Sequence, residues 1–345
     1  MPLSDTDIKL QTRGLWKSVF ADSEAFMDMY FSKKYVPAAN VVCLEENTVV
    51  ASGQWLPYDT LLRGQKSRAA YLSGLATHPD YRGKGYAATI ISEGLKRLYS
   101  EEVPLAWLIP ANAALRKFYE KPTHGSFSTV AFRTECRLAA EGVVDANFEV
   151  VAPEPSVALT DYLRRALSGY QHVLLPSLRD VQAAFSLCEM EQGKAALLRR
   201  AGEFCGLALV VKDLQDGWRL SFMEAEDTAA EAALLAALAA ATGSQTFRFL
   251  QPAIQSEGRT QPYGMARVVN VERFLQTIKP TLSKHSFCVE IVDDEILPQN
   301  NGRYLFSTEG VERTEQPADT KMTPGELAAF FLKDHAVSMP MMLDE

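Results

Sequence analysis

One stretch constrains this chain more than any other: residues 71–87, YLSGLATHPDYRGKGYA, in which an apolar strand ends in a glycine-rich basic loop that runs directly into a helix. The first N–H groups of a helix have no intrahelical partner and carry roughly half a positive charge, so a phosphate group finds both donors and a favourable field there. Gly83 and Gly85 lack the Cβ atoms that would keep an anion off the main chain. Arg82 and Lys84 add positive charge to a protein whose formal net charge is −8. Three readings of this loop are open at this point. Gly83-x-Gly85-x-x-Ala88 satisfies the dinucleotide pattern G-x-G-x-x-A, a plain structural turn fits as well, and so does a cradle for another diphosphate. A P-loop is excluded, because no Ser or Thr follows Lys84.

A chain of 345 residues predicts two or three domains. With 47% hydrophobic and 23% charged residues it has the composition of a globular protein. Its acidic balance argues against nucleic acid or an anionic membrane as the main partner. The five cysteines, 43, 136, 188, 205 and 288, have no C-x-x-C spacing and read as thiols in a reducing cytoplasm. No apolar run reaches the length of a membrane span, and the five histidines share no metal spacing, so no metal is expected.

The order of elements is mixed α/β. Helices are expected over residues 15–35 with a break near Ser23, then strands over 40–55 joined by a turn at Asn47, and a third strand over 69–77. A helix to Ser100, a strand over 105–109 ended by Pro110, and a short helix over 113–121 follow. The prolines at 153 and 155 mark a linker. Residues 157–265 then repeat the coarse order of the first unit, but Glu224, Ala225, Glu226 and Asp227 stand where the glycine loop stood and would repel a phosphate. A third piece has a hairpin turn at Asn300, Asn301 and Gly302, and a helix announced by Thr323, Pro324 and Glu326 as cap, first residue and capping-box partner. It ends in a Met-rich tail, read as either exposed or packed. The expected units are residues 1–150, 151–266 and 267–345.

Arg82-x-x-Gly85-x-Ala87 after a strand, with Asn112 and then FYEK at residues 118–121 after the next one, resembles the GNAT N-acetyltransferase superfamily. The three-unit layout, with VVNVERFL, NNGRYLFS and GVERT in the last piece, is similar to the enhanced intracellular survival (Eis) group. That resemblance implies an α/β (α+β) fold of tandem GNAT-like mixed-sheet domains, the second degenerate, followed by a small lobe like sterol carrier protein. It also implies acetyl-CoA as co-substrate, a small-molecule or peptide amine as acceptor, and an oligomer. The strand bearing Leu75, Ala76 and Thr77 would part from the strand at 105–109 and leave backbone groups for the pantetheine arm. The N–H groups of Arg82, Gly83, Lys84, Gly85, Tyr86 and Ala87 would hold the diphosphate, with Asn112 beside the cofactor.

Acyl transfer needs a neutral amine and a proton for the departing thiolate. The resemblance assigns Tyr119 as the acid and the carboxylate of Glu345 as the base; Glu45, Glu135 or water remain alternative bases. PTHGSF at residues 122–127 replaces the family's glycine-aromatic ending and reshapes the acceptor side. The rival class is a non-catalytic acyl-CoA-binding protein whose last lobe takes a lipid or a partner.

Overall fold

The structure is a computed structural model that describes residues 3–213, 217–278, 286–307 and 310–343. The chain opens with helices α1 (Asp5–Phe20) and α2 (Glu24–Lys33), capped by Ser4 and Ser23, whose side chains accept from Asp7 N and Phe26 N. Strands β1 (Asn40–Glu45), β2 (Thr48–Leu62) and β3 (Gln65–Thr77) form a meander. Each of its turns is a pair of left-handed residues, Glu46–Asn47 and Arg63–Gly64, the conformation that matches strand twist in two-residue hairpins. Helix α3 (Tyr86–Ser100), strand β4 (Leu105–Leu108), helix α4 (Ala113–Tyr119) and strand β5 (Ser128–Thr129) follow.

The middle of the chain supplies β6 (Phe132–Ala139), β7 (Glu149–Val151), α5 (Val157–Leu167), β8 (His172–Leu175), α6 (Leu178–Met190), β9 (Lys194–Arg200), β10 (Glu203–Asp213), β11 (Gly217–Ala225), α7 (Thr228–Thr242), β12 (Thr246–Ala253), β13 (Gln261–Pro262) and β14 (Met265–Val268). The last part holds α8 (Val271–Ile278), β15 (Phe287–Ile291), β16 (Gly302–Phe306), β17 (Val311–Arg313), β18 (Thr320–Met322), α9 (Pro324–Leu332) and β19 (Val337–Ser338).

Among the described residues these strands make three mixed sheets. The first runs β19-β8-β2-β3-β4-β14-β5 with β1 beside β2, the second β13-β6-β12-β11-β10-β9-β7, and the third β17-β16-β15-β18. The sheets exchange strands along the chain. β14, which follows the second sheet's strands in sequence, enters the first between β4 and β5, while β6 joins the second by pairing with β12.

The first sheet buries both faces. On one, Trp55, Ala70, Leu72, Ala106 and Leu108 meet Ile91, Leu95 and Leu98 of α3. On the other, Leu56, Tyr58, Tyr71 and Trp107 pack with Phe274, Phe331 and Met342 from the end of the chain. The alternation of β2, β3 and β4 between these two sets is the period of two that a strand imposes.

One expectation is corrected here, and one left open is decided. Asn300, Asn301 and Gly302 are not a hairpin turn: residues 292–301 separate β15 from β16, and Asn300 ends a short 3₁₀ turn. Its buried amide binds Val269 O and Asp294, partners that a surface turn would not need. Of the two readings of the tail the packed one holds: Met339 and Met342 join the core between the first sheet and the third, and Met341 that of the second sheet.

Candidate active site

β3 and β4 run parallel from Ala69 beside Leu105 to Leu72 beside Leu108, and there their pairing ends. The parting begins at Gly74. The register of β2 against β3 slips between Ser52 and Gln54, so β3 carries an extra residue, and Gly74 takes φ +62°. A Cβ at this position would overlap the Trp16 ring of α1. Beyond the bulge, Leu75, Ala76 and Thr77 still pair with β2 through Ala76 and Thr77, and their other edge has no strand beside it in the first sheet. That edge is a row of backbone groups able to bind an extended, amide-bearing chain.

After Thr77, His78 caps a 3₁₀ turn at Pro79–Tyr81, and the loop to α3 is exposed. Gly83 and Gly85 adopt φ +76° and +87°, and a Cβ on either would meet nothing within 4 Å. The requirement for glycine here is therefore conformational. Gly85 is the N-cap of α3 and offers no side-chain cap, so the N–H groups of the first turn stay open. One sequence expectation needs narrowing: the Arg82 N–H donates to Pro79 O at 3.2 Å, leaving the donors to begin at Gly83. Lys84 Nζ lies 4.6 Å from the centre of the Tyr81 ring, and Tyr86 donates its hydroxyl to Glu45. That bond to a carboxylate, with burial behind it, pushes the Tyr86 phenol up to about 12.

Asn112 caps α4, its Oδ1 accepting from Leu115 N at 2.9 Å. α4 ends at Tyr119, buried in the same cluster as Leu72, Ile91, Leu108 and Phe127. Phe127 sets its ring edgewise at 6.1 Å and returns its N–H to Tyr119 O at 2.9 Å. His124 of the PTHGSF segment stacks on Phe118 at 3.9 Å, and burial lowers its pKa. The parted strand ends belong to the first sheet, the glycine loop follows β3, and Tyr119 ends α4, which follows β4.

The candidate bases are dispersed. Glu45 is held by Tyr86. Glu135 stands on β6 of the second sheet, paired with Arg248 at 3.0 Å. Glu345 lies outside the described residues. Among the described residues no group of acids, cysteines and histidines is arranged to hold a metal ion, and no helix is long and apolar enough to cross a membrane.

Sequence reasoning missed a set of polar groups on the sheet face opposite α3. Gln54 and Ser73 pair across β2 and β3 next to the bulge, with Trp107 following on β4. Gln54 Oε1 accepts from Val36 N, Ser73 accepts from the Tyr30 hydroxyl at 2.9 Å, and the buried Gln54 Nε2 and Trp107 Nε1 have no partner among the described residues. The signal was present: Gln54 is a long polar side chain within the buried run of β2 from Val49 to Leu56.

The second unit shows why its copy of the motif differs. Asp227 caps α7 with its own carboxylate, accepting from Ala230 N at 2.8 Å, so this helix end is already satisfied and negative.

Residues 2–122 match the family model described as an acetyltransferase (GNAT) domain. A comparison with curated proteins found no match. Among solved structures the chain is similar to a GCN5-related N-acetyltransferase from Anabaena variabilis, with TM-score 0.78 and 16% identity over 96% of this chain and 89% of that one. It is similar to a conserved protein of Enterococcus faecalis described as a probable N-acyltransferase, with TM-score 0.75 and 15% identity over 96% and 89% of the two chains. It is also similar to Eis1 from Mycobacterium abscessus, with TM-score 0.72 and 12% identity over 95% and 88%. The chain therefore shares a tandem, mixed α/β fold with these structures over nearly its whole length, and its first third carries the match to the GNAT acetyltransferase domain.

Proposed function

We propose that this chain is an acetyl-CoA-dependent N-acetyltransferase that passes acetyl directly to a primary amine in a ternary complex. The observation that carries the reading is the uncapped N-terminus of α3 beside the point where β3 leaves β4. The residues present fit the co-substrate: donors from Gly83 to Ala87 face a diphosphate, and Arg82 and Lys84 supply charge. The free edge at Leu75, Ala76 and Thr77 suits the two amides of a pantetheine arm, and Asn112 shapes the far side by starting α4. We assign residues 1–150 as the catalytic unit; its sheet also takes in β8, β14 and β19, while β6 and β7 pass into the second sheet.

In the reaction the amine nitrogen bonds to the thioester carbon, the C–S bond breaks, and the thiolate takes a proton. Tyr119 is the residue we assign to give that proton. The amine must first lose one, and an ammonium near pKa ~10.4 is only about one part in a few thousand neutral at pH 7. A base or relayed water is therefore required, and Glu345 is the carboxylate we assign.

Tyr119→Phe tests the reading. Turnover with a reactive amine is expected to fall by about 10²-fold while acetyl-CoA affinity holds. Full turnover in the variant removes Tyr119 from the mechanism, and a wild type that binds acetyl-CoA yet releases no thiol with any of a panel of amines marks a binding protein instead.

A further inference from the structure

The second unit contains a cleft that this reaction does not use. It opens between the end of α5 and the ends of β9, β10 and β11, has a volume of about 660 Å³, and is lined by Tyr162, Tyr170, Arg200, Glu203, Glu224 and Glu226. Its charges are unevenly matched. Arg200 is spent on Glu226 at 2.7 Å and on Asp227 at 2.8 Å. Glu224 is half-buried and forms no hydrogen bond or ion pair among the described residues, and burial alone pushes its carboxyl up to about 7. Tyr162 is 5% exposed and its hydroxyl is buried without a partner. Among charged groups, Glu224 acts on that hydroxyl most strongly, and it acts on Tyr170 as well. A carboxyl and a hydroxyl, each without a partner among the described residues, therefore belong to the lining of one cleft.

An anion is the wrong occupant. It would meet Glu203, Glu224 and Glu226, and the neighbouring helix end is already capped by Asp227. Arg165 at the rim is the remaining cation against these acids. A cationic donor resolves both deficits, because an ammonium carries three N–H groups and its charge lets the buried carboxylate ionise. We propose that this cleft binds a primary ammonium group, accepted by the Glu224 carboxylate and the Tyr162 hydroxyl and flanked by the Tyr170 ring. The site is separate from the acetyl-transfer centre and stands whether or not that reading holds, since no acetyl group is involved.

The test is calorimetric titration of the full chain with 1,5-diaminopentane, without acetyl-CoA, with 1,5-pentanediol as the uncharged control. The wild type is expected to bind the diamine and not the diol. Glu224→Gln should weaken binding at least about tenfold, as removal of one partner of a desolvated charge pair does. Tyr162→Phe, which changes one atom, should weaken it several-fold. Tyr119→Phe should bind as the wild type, which separates this site from any acceptor pocket of the first unit. Thermal unfolding of both second-unit variants at or above the wild-type midpoint checks that they fold. Absence of diamine binding in the wild type, or equal binding by Glu224→Gln, overturns the proposal.

Discussion

Single residues decide the shape of the candidate site, and they do so in two different ways. Gly85 is needed for its φ of +87° in open space, a local demand that its place in RGKGYA announces. Gly74 is needed for φ +62° and because Trp16 occupies the place of its Cβ, which no reading of YLSGLAT reveals. Gly74→Ala combines a left-handed penalty of about 1–2 kcal/mol with that overlap. Unfolding in urea should show a loss of at least about 2 kcal/mol, together with weaker acetyl-CoA binding as the bulge straightens. A variant unchanged in both would mean that the strands part for another reason. His172 offers a second test. Burial first, then the charges of His335 and Arg63, hold its imidazole down to about 3, and its Nδ1 accepts from Arg63 N at 3.1 Å. An unfolded His binds a proton near pH 6.5 and this one does not, so stability is complete above that pH and declines as pH falls towards 3. The slope should approach about 1.4 kcal/mol per pH unit, and His172→Gln should flatten it when unfolding is measured between pH 7 and 4.

Elements with local signals were legible, and those stabilised by distant partners were not. The helical pattern breaks at Ser23, which caps α2, and Thr323, Pro324 and Glu326 form the expected capping box of α9, with Glu326 N to Thr323 Oγ1 at 3.3 Å and Thr323 N to Glu326 Oε2 at 2.8 Å. The tail was open to two readings because its sequence holds no turn or periodic cue. Its strand β19 forms only by lying parallel to β8, and its methionines are ordered by packing into cores built by other segments. Two truncations separate its roles. Removing residues 344 and 345 should depress turnover at neutral pH and spare both stability and acetyl-CoA affinity if Glu345 is the base. Cutting before Met339 also withdraws three buried methionines and should cost more than about 4 kcal/mol in chemical denaturation. Equal activity of the shorter truncation and the wild type would exclude the tail carboxylate.

At the scale of the molecule, the units hold together through polar groups as well as cores. Arg267 of β14 is fully buried and pairs with Asp294 at 2.7 Å while also donating to Gly125 O and Val268 O, both at 2.9 Å. Asp294 in turn receives Asn300 Nδ2 at 2.9 Å and Leu297 N at 3.0 Å. This network ties the loop after α4 to the start of the third unit. Asp294→Leu alone strands a buried guanidinium and should cost about 3–5 kcal/mol, whereas Arg267→Met with Asp294→Leu should recover much of it. A thermal-melt cycle over the four proteins checks this, and additive losses would show that the two groups do not act as a pair.

What the sequence by itself determined is whatever depends on near neighbours: the glycine loop before α3, the capping box of α9, the turn at Asn47, and the acidic replacement at Glu224, Glu226 and Asp227. The tertiary structure alone decided that β14 returns to the first sheet, that Asn300 is a buried latch, that the tail is core, and that Glu224 and Tyr162 face one cleft. The physical reason is range. Backbone conformation and capping are settled within a few residues, while pairing and burial depend on contacts between segments far apart in the chain, which a linear pattern does not encode.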